Sequence, residues 1–247
     1  MNTYDKLLKI KSERGAGYFV LLDPDKESPS NLAEMAKRCQ DADADALLIG
    51  GSLLMNHHFE QAMEAIKNAV TIPVILFPGG AMQVSKHADA LLFMSLISGR
   101  NPQYLIGEQV HAAPLVKTIG IETIPMGYML IESGTVTSVE FVSNSKPIPR
   151  EKTGIAVAHG LAGEYLGMKL LYLEAGSGAK QSVPEKMVQA VSHTVSIPVI
   201  VGGGISSPDC ASKKVEAGAS FIVTGTVLED QSNHKLIGEF ARAIHQQ

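Results

Sequence analysis

The chain has 247 residues, 45% of them hydrophobic, and a formal net charge of −4. That length is long for an ordinary domain but suits one β/α barrel spanning residues 1–247. With no basic surplus a nucleic-acid partner is not expected, and no apolar run reaches the ~18 residues of a membrane span.

In chain order, a helix at residues 4–14 precedes an apolar strand at 17–22. A helix at 30–41 and a strand at 46–49 follow, then a helix at 59–69 and a strand at 74–77. Strands at 90–94 and 122–125 flank a helix at 102–118. The rest runs helix 152–166, strand 170–174, helix 184–194, strand 199–201, helix 208–217, strand 221–224 and helix 234–245. Nearly all the strands lack polar alternation, as parallel strands buried on both faces do. Proline opens three of the helices, where its missing N–H is not needed. Eight strands alternating with helices predict a closed (β/α)8 TIM barrel, with a doubly wound open sheet as the second choice.

Two stretches break the pattern. Only residues 78–89 join the third and fourth strands, too few for a full crossover helix, so that helix is expected to be truncated or missing. Residues 127–150 are long for a connection. With a turn at Glu132-Ser133-Gly134 and strand-like residues 135–142, they predict an added hairpin or extended flap. Cys39 and Cys210 fall in expected helices and read as buried thiols of a reducing compartment. The polar residues 1–11 carry no apolar leader core, so a cytoplasmic protein is expected.

In a β/α barrel, chemistry sits at the C-terminal ends of the strands. Glycine-rich turns follow the last two strands, at Gly202-Gly203-Gly204 and Gly225-Thr226. Such turns let a phosphate reach backbone N–H groups. Asp23 ends the first strand, and Ser52 follows the second in Ile49-Gly50-Gly51-Ser52. Both offer hard oxygens of the kind that hold Mg²⁺ beside a substrate phosphate. The alternatives are a turn for Asp23-Pro24-Asp25 and a helix cap for Ser52; taken alone, Ser52 reads as a cap, whereas Asp23 reads as a metal or substrate contact. Glu174 lies where a buried strand becomes a glycine-rich loop, placed either to accept a proton from a substrate hydroxyl or to pair with a lysine. Tyr172 either donates its phenol hydrogen or packs in the wall. Gly176, Ser177 and Gly178 add donors for phosphate. Arg100 in Ser98-Gly99-Arg100-Asn101 either reaches a diphosphate or belongs to a loop that caps the next helix. The adjacent pair His57-His58, read as helical, looks like solvated surface.

Taken together, Leu22-Asp23-Pro24-Asp25-Lys26, Leu48-Ile49-Gly50-Gly51-Ser52, Ser98-Gly99-Arg100-Asn101-Pro102, Tyr172-Leu173-Glu174-Ala175-Gly176-Ser177-Gly178, Val201-Gly202-Gly203-Gly204-Ile205 and Val223-Thr224-Gly225-Thr226 resemble the geranylgeranylglyceryl phosphate synthase family. The likeness covers nearly the whole chain in the family's order. It implies Mg²⁺-dependent transfer of a C20 prenyl group from its diphosphate to the C3 hydroxyl of sn-glycerol 1-phosphate. By this resemblance Asp23 and Ser52 hold Mg²⁺ and Glu174 accepts the proton. Tyr172, Leu173, Glu174, Ala175, Gly176, Ser177, Gly178, Gly203, Gly204, Gly225 and Thr226 hold glycerol phosphate. The family's barrel also lacks a regular third helix. The Tyr-Leu-Glu-Ala-Gly-Ser-Gly form resembles the geranylgeranyl branch more than the longer-chain, heptaprenyl branch. The prenyl tail is expected along residues 78–89 and beneath 127–131.

Two rival functions remain in view. One is an isomerase or aldolase of sugar or heterocycle phosphates, although no expected strand end carries a Schiff-base lysine. The other is a phosphate-binding module without chemistry. A homo-oligomer is expected, with at most transient membrane contact.

Overall fold

The computed structural model describes residues 1–229, 233 and 235–245. Its centre is a closed barrel of eight parallel strands in the order β1 to β8. These are β1 (Gly17–Leu22), β2 (Ala46–Ile49), β3 (Val74–Leu76), β4 (Ala90–Leu96), β5 (Glu122–Leu130), β6 (Leu170–Glu174), β7 (Val199–Gly202) and β8 (Phe221–Thr224). The barrel closes through β1 and β8, with Gly17 opposite Phe221 and Val20 opposite Thr224. The helices are α1 (Thr3–Arg14), α2 (Pro29–Asp41), α3 (Phe59–Ala69), α4 (Glu108–Ile119), α5 (Ser138–Ser143), α6 (Thr153–Tyr165), α7 (Glu185–Thr194), α8 (Pro208–Glu216) and α9 (Leu236–Ile244).

The core forms two layers because side chains alternate along each strand. Phe19, Leu48, Leu92, Met126, Tyr172, Ile200 and Phe221 fill the interior. Tyr18, Val20, Leu47, Leu171, Leu173 and Val201 face the helices. The floor is shut by α1, whose Leu7 is fully buried against the interior set, a burial worth ~2 kcal/mol. Glu122 fixes that helix by accepting from the N–H groups of Thr3 and Tyr4 at 2.6 and 3.0 Å. The barrel therefore opens only where its strands end.

Local signals explain the regular parts. Ser28 and Ser207 cap α2 and α8 through Asn31 N–H and Cys210 N–H, each with proline next in sequence. Among the described residues no helix joins β3 to β4, in line with the short 78–89 segment. The helix read at 102–118 starts as a π-helical turn, Gln103–Gly107, before continuing as α4. Cys39 is buried and Cys210 half-buried, both as free thiols.

The 127–150 stretch is not a hairpin or flap. Its first residues prolong β5 to Leu130, Ile131 bridges to Ile148 in parallel, and the strand-like run contains α5. A cap overrides strand propensity there. Thr137 Oγ1 accepts from Glu140 N–H at 3.4 Å, and Asn144 ends the turn in the left-handed conformation, at φ 47°. His57 and His58 are exposed as expected, but on the bend before α3 and not within a helix. Of the helix expected at 234–245, His234 lies outside the described residues, and α9 covers Leu236–Ile244.

Candidate active site

Strand parity decides which rim residues point inward. Asp23 continues the interior series Phe19 and Leu21, and Glu174 continues Leu170 and Tyr172. Asp23, Ser52, Tyr172, Glu174, Ser177, Gly178, Gly203, Gly204, Gly225 and Thr226 all line one cavity of about 1190 Å³ at the mouth. Leu173 and Ala175 have the opposite parity, and their side chains pack in the helix-facing layer. Gly176 contributes its N–H, which donates to Glu174 at 2.5 Å.

Glu174 is the buried carboxylate of the site, 6% exposed. Burial pushes its pKa up to about 7, and hydrogen bonds from Gly176 N–H, the Tyr172 hydroxyl and Ala175 N–H only partly offset that rise. A base with that value is half-ionised near neutrality and suited to proton transfer. Tyr172 stacks on Phe77 at 5.2 Å and on Tyr128 at 5.5 Å, which fixes the ring that orients the carboxylate. Burial and the Glu174 charge raise the pKa of both tyrosines well above the usual value, so each stays a hydrogen-bond donor.

Beside Glu174 the glycine-rich turns after β6, β7 and β8 converge, an arrangement able to cradle an anion. Ser177 and Thr226 join the β6 and β8 loops through hydroxyls 2.9 Å apart. Gly203 follows β7 at φ 79°, a conformation that L side chains rarely adopt. A Cβ there would lie 2.2 Å from Glu174 Oε1, so glycine lets cradle and carboxylate meet.

Asp23 sits across the mouth. Partial burial raises its pKa, while Asp25 N–H, donating to its Oδ1 at 3.0 Å, and the Lys26 charge act the other way. A carboxylate whose charge is under-compensated is a fitting partner for a cation. The Ser52 hydroxyl makes no hydrogen bond among the described residues, which leaves it free to ligate rather than cap. No cluster of three or more His, Cys, Asp or Glu fit for a metal occurs among the described residues. Two hard oxygens with open positions suit Mg²⁺, which keeps water and substrate phosphate in its shell.

Neighbours hold that donor pair in place. Asp25 is occupied as a loop clasp: its carboxylate accepts from Met55 N–H and, at 3.1 Å, from Asn56 N–H. Gln83, 3% exposed, pins Gly51 from both sides, with Oε1 3.3 Å from Gly51 N and Nε2 2.9 Å from Gly51 O. Sequence reasoning marks 78–89 and 127–131 as tail-lining stretches without singling out Gln83 or Tyr128, and it missed Phe77. Gln83 lies in an irregular segment without periodicity, whereas the parity of Tyr128 with Met126 could have placed it inside. Arg100 does not reach the mouth. It donates to the Gly99 carbonyl at 2.8 Å, contacts His159 at 3.3 Å, and borders a separate crevice.

The cavity continues past the mouth. It is lined by the interior residues Leu92, Leu96 and Tyr128, and also by the helix-facing Leu91, Phe93, Val84 and Ala112. It therefore runs around the top of β3 and β4 into the space that a third barrel helix would fill.

A mouth with converging glycine turns, a buried carboxylate and an apolar side channel narrows the possible relatives, and comparison with known proteins is decisive. The PcrB family model matches residues 8–244. The chain belongs to the PcrB family. A geranylgeranylglyceryl phosphate synthase from Chitinophaga pinensis is 44% identical over 242 residues, spanning 98% of this chain and 95% of that protein. The Pyrococcus horikoshii protein of the same name is 45% identical over 226 residues, 91% of this chain and 88% of that one. The crystal structure of (S)-3-O-geranylgeranylglyceryl phosphate synthase from Thermoplasma acidophilum with substrate sn-glycerol-1-phosphate matches with a TM-score of 0.95. Its identity is 35%, and all of both chains is covered.

Proposed function

We propose that this PcrB-family chain is a prenyltransferase that joins geranylgeranyl diphosphate to the C3 hydroxyl of sn-glycerol 1-phosphate. The observation that carries this reading is the position of Glu174. Its carboxylate lines the same cavity as the glycine turns after β6, β7 and β8 and the apolar extension past β4, and it is within contact of Gly203. An acceptor held by its phosphate presents a hydroxyl to that base, and a donor laid in the channel presents its reactive carbon to the hydroxyl.

The acceptor's phosphate takes the N–H and hydroxyl donors of Ser177, Gly178, Gly203, Gly204, Gly225 and Thr226, while Gly176 N–H stays with Glu174. Fixing both partners makes their encounter effectively intramolecular. The C3 oxygen bonds to C1 of the prenyl chain as the C1–O bond to diphosphate breaks. The hydroxyl proton passes to Glu174, which Tyr172 holds in place by donating a hydrogen bond. The charge balances because diphosphate departs with the electron pair of the broken bond. We assign Asp23 and Ser52 as the ligands of Mg²⁺, which when bound supplies positive charge to the diphosphate.

The expected setting is cytoplasmic lipid synthesis, with self-association of the barrel. Among the described residues no helix is long and apolar enough to cross a membrane.

A mass-spectrometric assay with Mg²⁺, geranylgeranyl diphosphate and each enantiomer of glycerol phosphate tests the reading. The ether product is expected with sn-glycerol 1-phosphate and not with its mirror image. If no donor from C15 to C35 gives an ether, the proposal fails. A C35 donor preferred over C20 assigns the chain to heptaprenyl transfer instead.

A further inference from the structure

The cavity is acidic for a site that takes two anionic substrates. Seven carboxylates line it against three cationic side chains, Lys26, Arg38 and Lys180, so a cation free to turn toward the donor decides where the diphosphate rests. Arg38 lies on α2, off the strand-end turn that carries Asp23, and pairs with Glu34 one turn back on the same helix. Lys180 belongs to the acceptor side, two residues beyond Gly178. Lys26 is placed differently. It ends the turn that begins at Asp23, closed by Lys26 N–H donating to Asp23 O at 3.3 Å, and its charge acts on the Asp23 carboxylate. Its ammonium is paired with Glu229 of the neighbouring loop, the one that follows β8. Glu229 in turn closes the single 3₁₀ turn headed by Thr226, donating its N–H to Thr226 O at 3.2 Å.

The pair is half-exposed, at 45% and 42%, and water screens such pairs so well that they add little to stability. A diphosphate offers the same ammonium more charge and several acceptor oxygens, with charge-assisted hydrogen bonds about twice as strong as neutral ones. We propose that Lys26 is the ammonium that receives the donor's diphosphate, and that Glu229 is the internal anion it leaves to do so. The inference rests on the prenyl-transfer reading and names the donor contact of that same site. Glu229 also gives the pair a role after the reaction. By recapturing Lys26 it competes with product diphosphate and speeds its departure.

The test is titration of the full-length protein with inorganic pyrophosphate and Mg²⁺, read by calorimetry, and with sn-glycerol 1-phosphate in parallel. Lys26→Met is expected to weaken pyrophosphate binding by about tenfold or more, the loss of one charge-assisted contact, with glycerol phosphate affinity within about twofold of the parent. Lys26→Arg is expected to restore most of the loss, which separates charge from fold. Glu229→Gln is expected to tighten pyrophosphate binding by a few fold, because the competing anion is gone. A purely structural ion pair makes the opposite forecast, since removing either partner breaks the same bond. Shifts of Lys26→Met and Glu229→Gln in the same direction, or no change in Lys26→Met, overturn the proposal. Pyrophosphate binding is read without turnover. Loss of the ether reaction would therefore sink the activity and leave this result legible, and the reverse also holds.

Discussion

Between β6 and β8 the rim is made of backbone; between β2 and β4 it is made of side chains. On the first arc, short loops bring N–H groups and two hydroxyls around a point beside Glu174, and left-handed glycines allow the approach. On the second arc, among the described residues, no helix joins β3 to β4, and irregular chain is held by the amide of Gln83 and the carboxylate of Glu108, which accepts from Ala81 N–H at 2.8 Å. A small, doubly charged ligand needs donors fixed in number and direction, and backbone supplies them at low entropy. A long hydrocarbon needs only volume and apolar walls. The acceptor arc should therefore fail sharply when touched, and the donor arc by degrees.

The largest effect is expected at Glu174. Glu174→Gln keeps the size of the side chain and removes the base, so kcat should fall by about 10²–10⁴-fold while glycerol phosphate still binds. A fall in binding as large as the fall in kcat would recast Glu174 as a phosphate-loop strut. pH sharpens the case. Burial raises the Glu174 pKa from 4.5 to about 7. The folded chain thus holds a proton that the unfolded chain has lost between those values, and stability declines as pH rises through that window and levels off above it. Turnover should rise over the same upper range as the carboxylate forms. In thermal melts from pH 5 to 8, Glu174→Gln should lack this part of the slope and gain on the parent as pH rises.

Next comes Gly203→Ala. Its Cβ would meet Glu174 Oε1 at 2.2 Å and Gly176 N at 2.6 Å, on a backbone with φ of 79°. Glycerol phosphate affinity should drop by about a hundredfold, which corresponds to close to 3 kcal/mol. Gly178→Ala is the control, since φ is 67° there but nothing lies within 4 Å of the added carbon. It should suffer only the left-handed strain, about 1–2 kcal/mol. Equal losses in calorimetric titrations would mean that close approach to Glu174 is not what position 203 protects.

The two arcs also differed in legibility. The acceptor arc was readable because its physics is local: apolar run, glycine turn and helix follow within a dozen residues, and each motif names its own donors. Even there, strand parity separates side chains that motif membership groups together. Leu173 and Ala175 stand in the phosphate motif, but their side chains face the helices, as the spacing from Leu171 implies. The missing helix was visible as a deficit of residues at 78–89. What fills its place was not, because Gln83 acts through contacts to Gly51, 32 positions away, that no periodicity encodes. At 135–142, β-branched composition suggests strands, while Thr137 acts as an N-cap whose Oγ1 accepts from Glu140 N–H. Position-specific capping outweighed average propensity.

On the donor arc, Gln83→Leu removes three contacts to backbone, two with Gly51 and one with Gly79 N at 3.2 Å. Each buried group left unpaired costs about 1–3 kcal/mol, discounted here because the loop can relax. The melting temperature should fall, and the Mg²⁺ concentration needed for half-maximal rate should rise about tenfold, through loosening of the Gly51-Ser52 turn whose Gly51 lies against Asp23. Glycerol phosphate affinity should not move. If it falls in step, the arcs are one unit and the contrast between them collapses.

The smallest change in rate, and the most informative about the channel, is expected from Ala112→Trp. Ala112 lies on α4, is 8% exposed, and lines the cavity together with Val84 of the 78–89 segment. An indole there shortens the channel without touching Asp23 or Glu174. A C15 donor should keep most of its kcat/KM, whereas a C20 donor should lose about tenfold or more. Each buried methylene is worth ~0.8 kcal/mol, so displacing even two accounts for a loss of that size. The C15-to-C20 ratio is therefore the quantity to measure, because general damage would lower both rates together and leave it unchanged. An unaltered ratio would place the tail elsewhere along the mouth. The helix-facing extension of the cavity would then be a space the barrel tolerates, with no part in choosing its donor.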